Sequence, residues 1–492
     1  MMSPYLLLIP ILFPVLGAFL LFFLGIPEEK DRQRNRYLET IVVLTSISVW
    51  ILIFMAEREP VQIYSFISGF SIAFRMDGLA ALFAGMVSLM WPLVMLYAFE
   101  YMEHSKGKNR FFVFYVMTYG VTLGLAFAAN ITTLYTFIEM LSLVTIPLVS
   151  HYGNHESMFA GRKYAAFTIG GTGLAFFSVV MTTVYGDSGR FVLGGSLNMS
   201  QLTPIMEVAF LAGFFGFGVK AAVFPLHSWL PTASVAPTPV TALLHAVAVV
   251  NSGVFAITRL VFFTYGAGSL MGTVSQTIAL LTVVFTMVFA AAMALKQRHF
   301  KRRLAYSTVS NLSYMLFGIL LMTPHGMTAG LLHMVFHGII KMSLFLCAGA
   351  FIHVTGNEYI YQVNGVGKKM PLTFILYTLA GLSLTGVPLF CGFVSKWNLV
   401  TAGIEAGSPQ SLSGVFALII SAFLCAMYAL SVSVRAFFST EESDLYLNRP
   451  DVKEAGKSML IPIAFFGILN IVLGVCSQPI VDYLGKIAAG ML

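Results

Sequence analysis

The chain has 492 residues, of which 58% are hydrophobic and 10% charged, with a formal net charge of +7. An ordinary soluble domain carries about 25% charged residues. A chain this poor in charge cannot cover its apolar surface against water, so lipid is the expected solvent. The positive surplus does not point to nucleic acid, because the basic residues gather in short segments between apolar stretches, which is a topology signal.

Windows of about 20 apolar residues predict an all-α polytopic membrane protein with spans near 5–25, 38–56, 78–100, 109–128, 131–150, 163–184, 205–225, 239–262, 273–295, 303–322, 327–352, 371–402, 411–437 and 457–478, about fourteen in all. The first has no basic residue before it and no small-residue cleavage site after it, so it reads as a true span and not a signal peptide. No hydrophilic domain interrupts the series. Residues Gly365 to Lys369, Gly-Val-Gly-Lys-Lys, faintly resemble a phosphate loop but lack the first glycine and the Ser or Thr that would meet magnesium.

Of the 28 Lys and Arg residues, twenty fall in segments after odd-numbered spans: Lys30, Arg32, Arg34, Arg36, Lys106, Lys108, Arg110, Arg162, Lys163, Lys296, Arg298, Lys301, Arg302, Arg303, Lys368, Lys369, Arg435, Arg449, Lys453 and Lys457. The opposite face holds Arg58, Arg75, Arg190 and Lys486, and four more lie within spans. This bias places the odd loops in the cytoplasm and both termini outside, in a cell inner membrane. The cysteines Cys347, Cys391, Cys425 and Cys476 stand singly in apolar segments and read as small packing residues, so no iron–sulfur or c-type haem ligand set is present.

A charge at mid-bilayer costs roughly 2.5–3.5 kcal/mol on insertion scales, so each one needs a reason. Arg259, near the outer end of span 8, is expected to snorkel in a structural role. Glu100 and Glu103 sit at the cytoplasmic end of span 3 and read as solvated. Glu139 in span 5, between Thr136 and Ser142, is the clearest carboxylate within a span, and Lys220 lies deep in span 7. They are expected to pair with each other. At about 4 Å and an effective dielectric near 20 their attraction is about 4 kcal/mol, comparable to the roughly 2.3 kcal/mol involved in moving one charge through 100 mV. A permanent salt bridge is the plainer alternative, but buried pairs stabilise poorly compared with apolar substitutes.

In His333-Met-Val-Phe-His337-Gly-Ile-Ile-Lys341 the spacing i, i+4, i+8 puts His333, His337 and Lys341 along one helix face. Such a row suits proton relay, because imidazole donates and accepts near neutral pH. A zinc site would want a Glu after the first His and no lysine nearby, a b-type haem would want histidines on facing helices, and simple helix packing is the third alternative. His245 in span 8 offers a link between Lys220 and span 11. Lys396 follows a Pro/Gly interruption, Thr385 to Pro388 and Gly392 to Lys396, and Lys220 lies beside Gly213, Gly216, Gly218 and Pro225. Interrupted spans in both halves point to inverted repeats around mid-membrane ion sites, with freed backbone groups lining a polar cavity.

Lys220-Ala-Ala-Val-Phe-Pro-Leu-His-Ser-Trp-Leu-Pro231, Ala236-Pro-Thr-Pro-Val-Thr-Ala-Leu-Leu-His245, Tyr306-Ser-Thr-Val-Ser-Asn-Leu-Ser-Tyr314, His333 to Lys341 and Gly392 to Lys396 resemble the antiporter-like subunits shared by respiratory complex I, membrane-bound energy-converting hydrogenases and Mrp-type cation/proton antiporters. The likeness runs from about residue 75 to 440. It implies two inverted five-helix repeats, spans 4–8 (109–262) and 9–13 (273–437), with spans 7 and 12 broken, preceded by spans 1–3 (1–108) and followed by span 14 (457–478). It also implies that Glu139 and Lys220 match the family's helix-5/helix-7 pair, that His245, His337 and Lys341 match the central polar axis, and that Lys396 matches the exit-side residue. Two departures are His245 where some relatives carry a further lysine, and no long lateral helix after span 14.

The expected function is therefore proton translocation by a non-redox subunit of a hetero-oligomeric membrane complex, with no cofactor or metal of its own and no nucleic-acid partner. The alternatives are a Na+(K+)/H+ exchange subunit, with any sodium site in a neighbouring subunit, a quinone- or haem-binding redox subunit, and a stand-alone solute carrier.

Overall fold

The computed structural model of the protein describes residues 4–23, 30–55, 59–67, 70–186, 189–197 and 202–492. Arg58, one of the four basic residues assigned to the less basic face, lies outside them. After a 3-10 turn at Pro4–Leu8 the elements are α1 (Ile9–Phe23), α2 (Asp31–Met55), β1 (Val61–Ile67), β2 (Phe70–Phe74), α3 (Gly78–Tyr101), α4 (Lys108–Ala126), α5 (Ile131–Val149), α6 (His155–Tyr185), α7 (Pro204–Gly218), α8 (Trp229–Ala233), α9 (Thr238–Ala246), α10 (Val250–Thr258) with a π-helical extension at Arg259–Tyr265, α11 (Ala267–Leu270), α12 (Val274–Lys296), α13 (Phe300–Leu320), α14 (Pro324–Thr355), α15 (Pro371–Thr385), α16 (Cys391–Ala406), α17 (Pro409–Phe437), α18 (Lys457–Val475) and α19 (Gln478–Ala488). Among the described residues, ten helical segments are long and apolar enough to cross a membrane, and α7 and α15 are shorter apolar helices.

The chain is mostly helical, as expected, with one short hairpin that the all-α expectation did not include. Val61–Ile67 and Phe70–Phe74 pair antiparallel, Val61 opposite Phe74 and Gln62 opposite Ala73. These runs are rich in β-branched and aromatic residues, the composition that fits a pleated surface. Thr133 Oγ1 accepts from Ala73 N at 2.9 Å, and Asn130 Nδ2 donates to Ser71 O at 3.0 Å, which fastens the hairpin to the start of α5.

Several helices begin earlier than hydropathy suggests. Asn154 caps α6 by accepting from Ser157 N at 2.8 Å, so Arg162 and Lys163 lie inside that helix. Arg32, Arg34 and Arg36 likewise lie inside α2, and Lys301, Arg302 and Arg303 in the first turn of α13. Hydropathy windows miss these turns because they are polar, while caps extend helices into polar sequence.

Three expected spans are interrupted. Span 7 stops at Gly218, ahead of Pro225, and span 12 parts between Thr385 and Cys391, around Pro388. Proline removes a donor and disfavours helix in the residue before it. Span 8, expected to be continuous, is also split, between Ala246 and Val250. The gap falls in Val247-Ala-Val-Val250, where branched side chains favour helix less, and Asn251 Nδ2 donates to the Ala246 carbonyl at 2.8 Å.

Two units form the centre. The apolar window of α14 is 94% buried and that of α9, α10 and the π-turn 100% buried, whereas those of α1, α2, α6, α12, α17 and α18 are all less than half buried. A helix apolar all round and enclosed by protein is a central pillar, and one apolar on its exposed side faces lipid. Of the cysteines, Cys347, Cys391 and Cys425 are buried as packing residues, but Cys476 is exposed at the end of α18. Glu100 is not merely solvated: its carboxylate accepts from Gly456 N at 2.7 Å, at the N-terminus of α18.

Arg259 does not snorkel. It is 1% exposed, and its two terminal nitrogens donate to both oxygens of Asp77 at 2.7 Å. Phe191, Phe255 and Phe263 lie around its guanidinium at 4.7–5.1 Å. Asp77 also caps α3 by accepting from Ala80 N at 2.9 Å, and Arg75 donates to it at 2.8 Å. Burial alone would raise the Asp77 pKa, but the charge and hydrogen bonds of Arg259, with Arg75 and Ala80 N, outweigh it and hold the carboxyl far below its usual range. Asp77→Ala is expected to cost about 3–5 kcal/mol, because it leaves a buried charge unpaired. Thermal unfolding in detergent measures this; a change within error would show that the clamp does not hold α3 to the π-turn.

Candidate functional site

Six of the seven residues singled out from the sequence lie on or beside the breaks and the central pillar; the seventh, Glu139, is on α5. Lys220, His245, His337 and Lys341 are 0% exposed, His333 1% and Lys396 6%. Glu139 is half-buried on α5.

Lys220 is not inside a helix. It occupies the turn that follows Gly218, where the Val219 carbonyl accepts from Trp229 Nε1 at 2.8 Å and from Ala222 N at 3.1 Å. Gly253 of α10 packs against this turn: a Cβ there would come within 2.8 Å of Lys220 Cβ and collide with Ala221 N. A glycine is needed for that close approach. Lys220 Nζ donates to Ser142 Oγ at 2.7 Å and to Tyr164 OH at 3.4 Å, with the Tyr164 ring centroid 5.3 Å away. Tyr164 OH in turn shares a 2.7 Å hydrogen bond with Thr145 Oγ1.

The expected direct pair of Lys220 with Glu139 is therefore not formed. Glu139 accepts from the Thr172 hydroxyl of α6, while the ammonium rests on Ser142, one helical turn further along α5. The physical reason is that Ser142 meets the ammonium from inside the bundle, whereas Glu139 keeps a partly exposed position.

The α14 row is as expected on one side. The His333 and His337 rings are 5.9 Å apart. His333 is engaged at both nitrogens, by Ser395 Oγ of α16 at 2.9 Å and Asn311 Oδ1 of α13 at 3.2 Å. Lys341 Nζ donates to Ser307 Oγ at 2.7 Å and to the Leu304 carbonyl at 3.0 Å, and Tyr428 OH donates to the same Ser307 Oγ at 2.9 Å. Lys396, next to Ser395, donates to the Leu384 and Thr385 carbonyls at 2.6 and 3.1 Å. These are the carbonyls that the end of α15 leaves without an intrahelical partner, and a cation at a helix C-terminus is favourable. The Tyr314 ring lies beneath the ammonium at 5.4 Å.

His245 and His337 differ from the rest. Neither ring nitrogen of either residue has a hydrogen-bond partner among the described residues. His245 is held by stacking on Phe345 at 4.7 Å. No hydrogen bond among the described residues joins it to Lys220 or Lys341. Buried polar atoms without protein partners are characteristic places for internal water.

Several contributors escape a reading based on charge. Tyr164, Thr172 and Tyr428 are neutral and carried no signal beyond being hydroxyls in apolar stretches. Ser142, Ser307, Asn311, Tyr314 and Ser395 fell within segments already noted, without a role. What the arrangement offers chemically is a set of ammonium and imidazole groups in a low-dielectric interior, solvated by hydroxyls and backbone carbonyls and not neutralised by carboxylates. Ser142→Ala is expected to cost about 1–3 kcal/mol by leaving Lys220 short of an acceptor, with Ser142→Thr close to wild type. Thermal unfolding of both variants checks this, and equal stability of all three proteins would contradict the assignment of Ser142 as the ammonium's main acceptor.

The sequence profile described as NADH:quinone oxidoreductase/Mrp antiporter, TM matches residues 128–425, and the profile described as NADH-Ubiquinone oxidoreductase (complex I), chain 5 N-terminus matches residues 61–112. The N subunit of the NADH-quinone oxidoreductase of Desulforudis audaxviator is 31% identical over 97% of this chain and 97% of its own length. A probable K(+)/H(+) antiporter protein of Rhizobium meliloti is 31% identical over 83% of this chain, which spans only 40% of that longer protein. In fold, the chain superposes on a component of the Mrp complex from Dietzia sp. DQ12-45-1b with a TM-score of 0.87, covering 100% of this chain and 98% of that one at 20% identity.

Proposed function

This chain belongs to the NADH:quinone oxidoreductase/Mrp antiporter family of antiporter-like membrane subunits, and from that premise we propose that it carries protons across the bilayer along Glu139, Lys220, His245, His337, Lys341, His333 and Lys396. The observation that carries the proposal is a line of buried ammonium and imidazole groups on the central pillar and at two helix breaks, with neutral acceptors at each lysine. A lysine resting on a hydroxyl or a carbonyl can lose its proton without leaving a carboxylate behind it unpaired, which a salt-bridged lysine cannot.

In this mechanism Lys220 has two positions. On Ser142 and Tyr164 it is screened only by neutral oxygens; drawn toward Glu139 it gains about 4 kcal/mol at roughly 4 Å and an effective dielectric near 20. A change in a neighbouring subunit that moves Glu139 or Thr172 shifts the balance between them and so sets whether Lys220 holds or releases its proton. Water at the unpartnered nitrogens of His245 and His337 bridges the gap to Lys341, and His333 with Ser395 passes the proton to Lys396.

The topology that goes with this has fourteen crossings. The polar helices α4 and α13 cross, α7–α8 and α15–α16 cross as broken pairs, and the hairpin β1–β2 lies on the side away from the basic loops. Residues 109–262 and 273–437 form two inverted repeats. The chain works beside other membrane subunits in an inner membrane, with both termini outside.

A second reading, sodium or potassium/proton exchange, is favoured by the relative in Rhizobium meliloti and by the fold shared with the Mrp complex. The two readings separate by experiment. In vesicles carrying the complex, Lys220→Ala and Glu139→Gln are expected to reduce proton movement to background while the neighbouring subunits still co-purify. Proton movement at the wild-type rate in both variants would reject the route. Dependence on sodium or potassium that disappears in the same variants would select exchange.

A further inference from the structure

At the end of the bundle that carries the basic segments, α12, α13 and α17 enclose a cavity of about 540 Å³. Three of its lining side chains are guanidiniums: Arg298 between α12 and α13, Arg303 in the first turn of α13, and Arg435 in the last turn of α17. No carboxylate lines it. Glu358, close by in sequence to the lining residues Ile360 and Tyr361, has its carboxylate 3.3 Å from His299 instead.

The three arginines are not equivalent. Arg303 is a strut, donating to the Leu295, Gln297 and Tyr428 carbonyls and to Ser431 Oγ at 2.9–3.4 Å. All its partners are neutral, so its charge is uncompensated. Arg298 is exposed and its side chain has no hydrogen-bond or ion-pair partner among the described residues. Arg435 is exposed and among the described residues reaches only Asn364 Oδ1, at 3.4 Å. Two guanidiniums therefore present unused donors at the mouth of the cavity while a third fixes positive charge at its back. Guanidinium is the group best shaped to grip phosphate oxygens in pairs.

What leads into the cavity is apolar. Met427, Ser431 and Arg435 follow each other at i, i+4, i+8 on one face of α17, and Phe423, Ile420 and Phe416 continue that face through the middle of the helix and beyond it. Phe416, Ile420, Phe423 and Met427 are 68%, 51%, 69% and 47% exposed. At 1.5 Å per residue the stripe from Phe416 to Met427 is about 16 Å long, close to half of a hydrocarbon core about 30 Å thick. From the middle of the helix outward this face thus runs apolar, then hydroxyl, then guanidinium, which is the order of groups along a phospholipid. An acidic protein segment would match the charge but not the apolar stripe.

We propose that this cavity binds the phosphodiester headgroup of an anionic phospholipid between Arg298 and Arg435, with its acyl chains along the exposed face of α17. Basic pockets between spanning helices recognise such headgroups by this combination of charge and depth. The proposal does not depend on the proton route.

The test uses the full protein in its complex, reconstituted in phosphatidylcholine nanodiscs with phosphatidylglycerol as probe, and native mass spectrometry to count lipid retained after detergent washing. Wild type is expected to retain phosphatidylglycerol, and the double variant Arg298→Gln/Arg435→Gln to retain about 30-fold less, the factor that two charges near an anionic surface contribute. Both side chains are exposed and Arg303 is untouched, so the fold is preserved. As a second measurement, exchanging part of the phosphatidylcholine for phosphatidylglycerol is expected to raise the unfolding temperature of wild type more than that of the variant. Equal retention by the two proteins overturns the proposal. So does displacement of the lipid by excess inorganic phosphate, which would make the site selective for the anion alone. Loss of a neighbouring subunit from the variant with lipid retention unchanged assigns the face to a protein contact and overturns it as well.

Discussion

Burying an ammonium group in a low-dielectric interior is among the most costly things a polypeptide can do, and the rest of this structure is arranged around doing it at Lys220, Lys341 and Lys396. The isolated-ion cost of such a transfer is tens of kcal/mol by continuum estimates and several kcal/mol after relaxation in real proteins. The usual remedy is an adjacent carboxylate. Here Lys220, Lys341 and Lys396 have none within ion-pair distance among the described residues, and each is surrounded instead by oxygens of neutral groups. Such oxygens solvate the charge without cancelling it. The groups stay responsive to any field that changes nearby.

Helix interruption frees the carbonyls at Lys396 and lets Lys220 reach its hydroxyls, whereas Lys341 rests on Ser307 and the Leu304 carbonyl of the unbroken α13. A continuous helix uses its carbonyls internally, and only its last turn leaves them free. The break between α15 and α16 exposes the Leu384 and Thr385 carbonyls to Lys396. The break after α7 places Lys220 in a turn, where it reaches across to α5 and α6. Lys301, which hydropathy assigns to a loop, follows the same rule: it is 3% exposed and donates to the Ala236 carbonyl at 2.9 Å, in the turn between α8 and α9. In lipid, irregular backbone is tolerated only where protein or water satisfies it: Lys220 and the Val247–Val249 gap are buried in the bundle, whereas Val387, Pro388 and Leu389 of the α15–α16 break are exposed at its edge.

The architecture was largely legible from sequence because it follows from one strong signal, long apolar runs separated by basic segments. Two of the three helix breaks were legible too, through Pro225 and Pro388. The third, between Ala246 and Val250, was not, because no proline or glycine marks it and the run of branched residues that weakens the helix there is equally at home in a buried span. The β1–β2 hairpin escaped because a search for lipid-length periodicity does not register two short strands. At the site, charged and imidazole side chains announced themselves by being rare at membrane depth, and the structure places six of the seven on or next to the central pillar and the breaks. The partners did not announce themselves. That Glu139 would turn to Thr172 and Lys220 to Ser142 depends on which face of α5 meets α6 and which meets the α7 turn, and no spacing within a single helix contains that information. Arg259 has a structural role, as expected, but its partner was missed for the same reason: Asp77 is 182 positions away in sequence, and a lone arginine near a helix end looks like one that snorkels.

The contrast between Arg259 and Lys220 separates structural charge from working charge in the same bundle. Arg259 is gripped by both oxygens of Asp77 and enclosed by three phenylalanine rings. Guanidinium keeps its proton at any physiological pH, so this pair has one state and holds α3 against the π-helical turn in all conditions. Lys220 is an ammonium, the cationic group whose protonation burial and neighbours most readily alter, and its acceptors are a serine and a tyrosine that keep no charge when the proton departs. The bundle thus assigns the charge that never changes to the position where a carboxylate is fixed, and the charge that is able to change to positions where only dipoles surround it. A carboxylate set beside Lys220 in Ser142's place would convert the second kind of site into the first. The turn after Gly218 positions the ammonium one helical turn away from Glu139, and that offset keeps the attraction available without making it permanent.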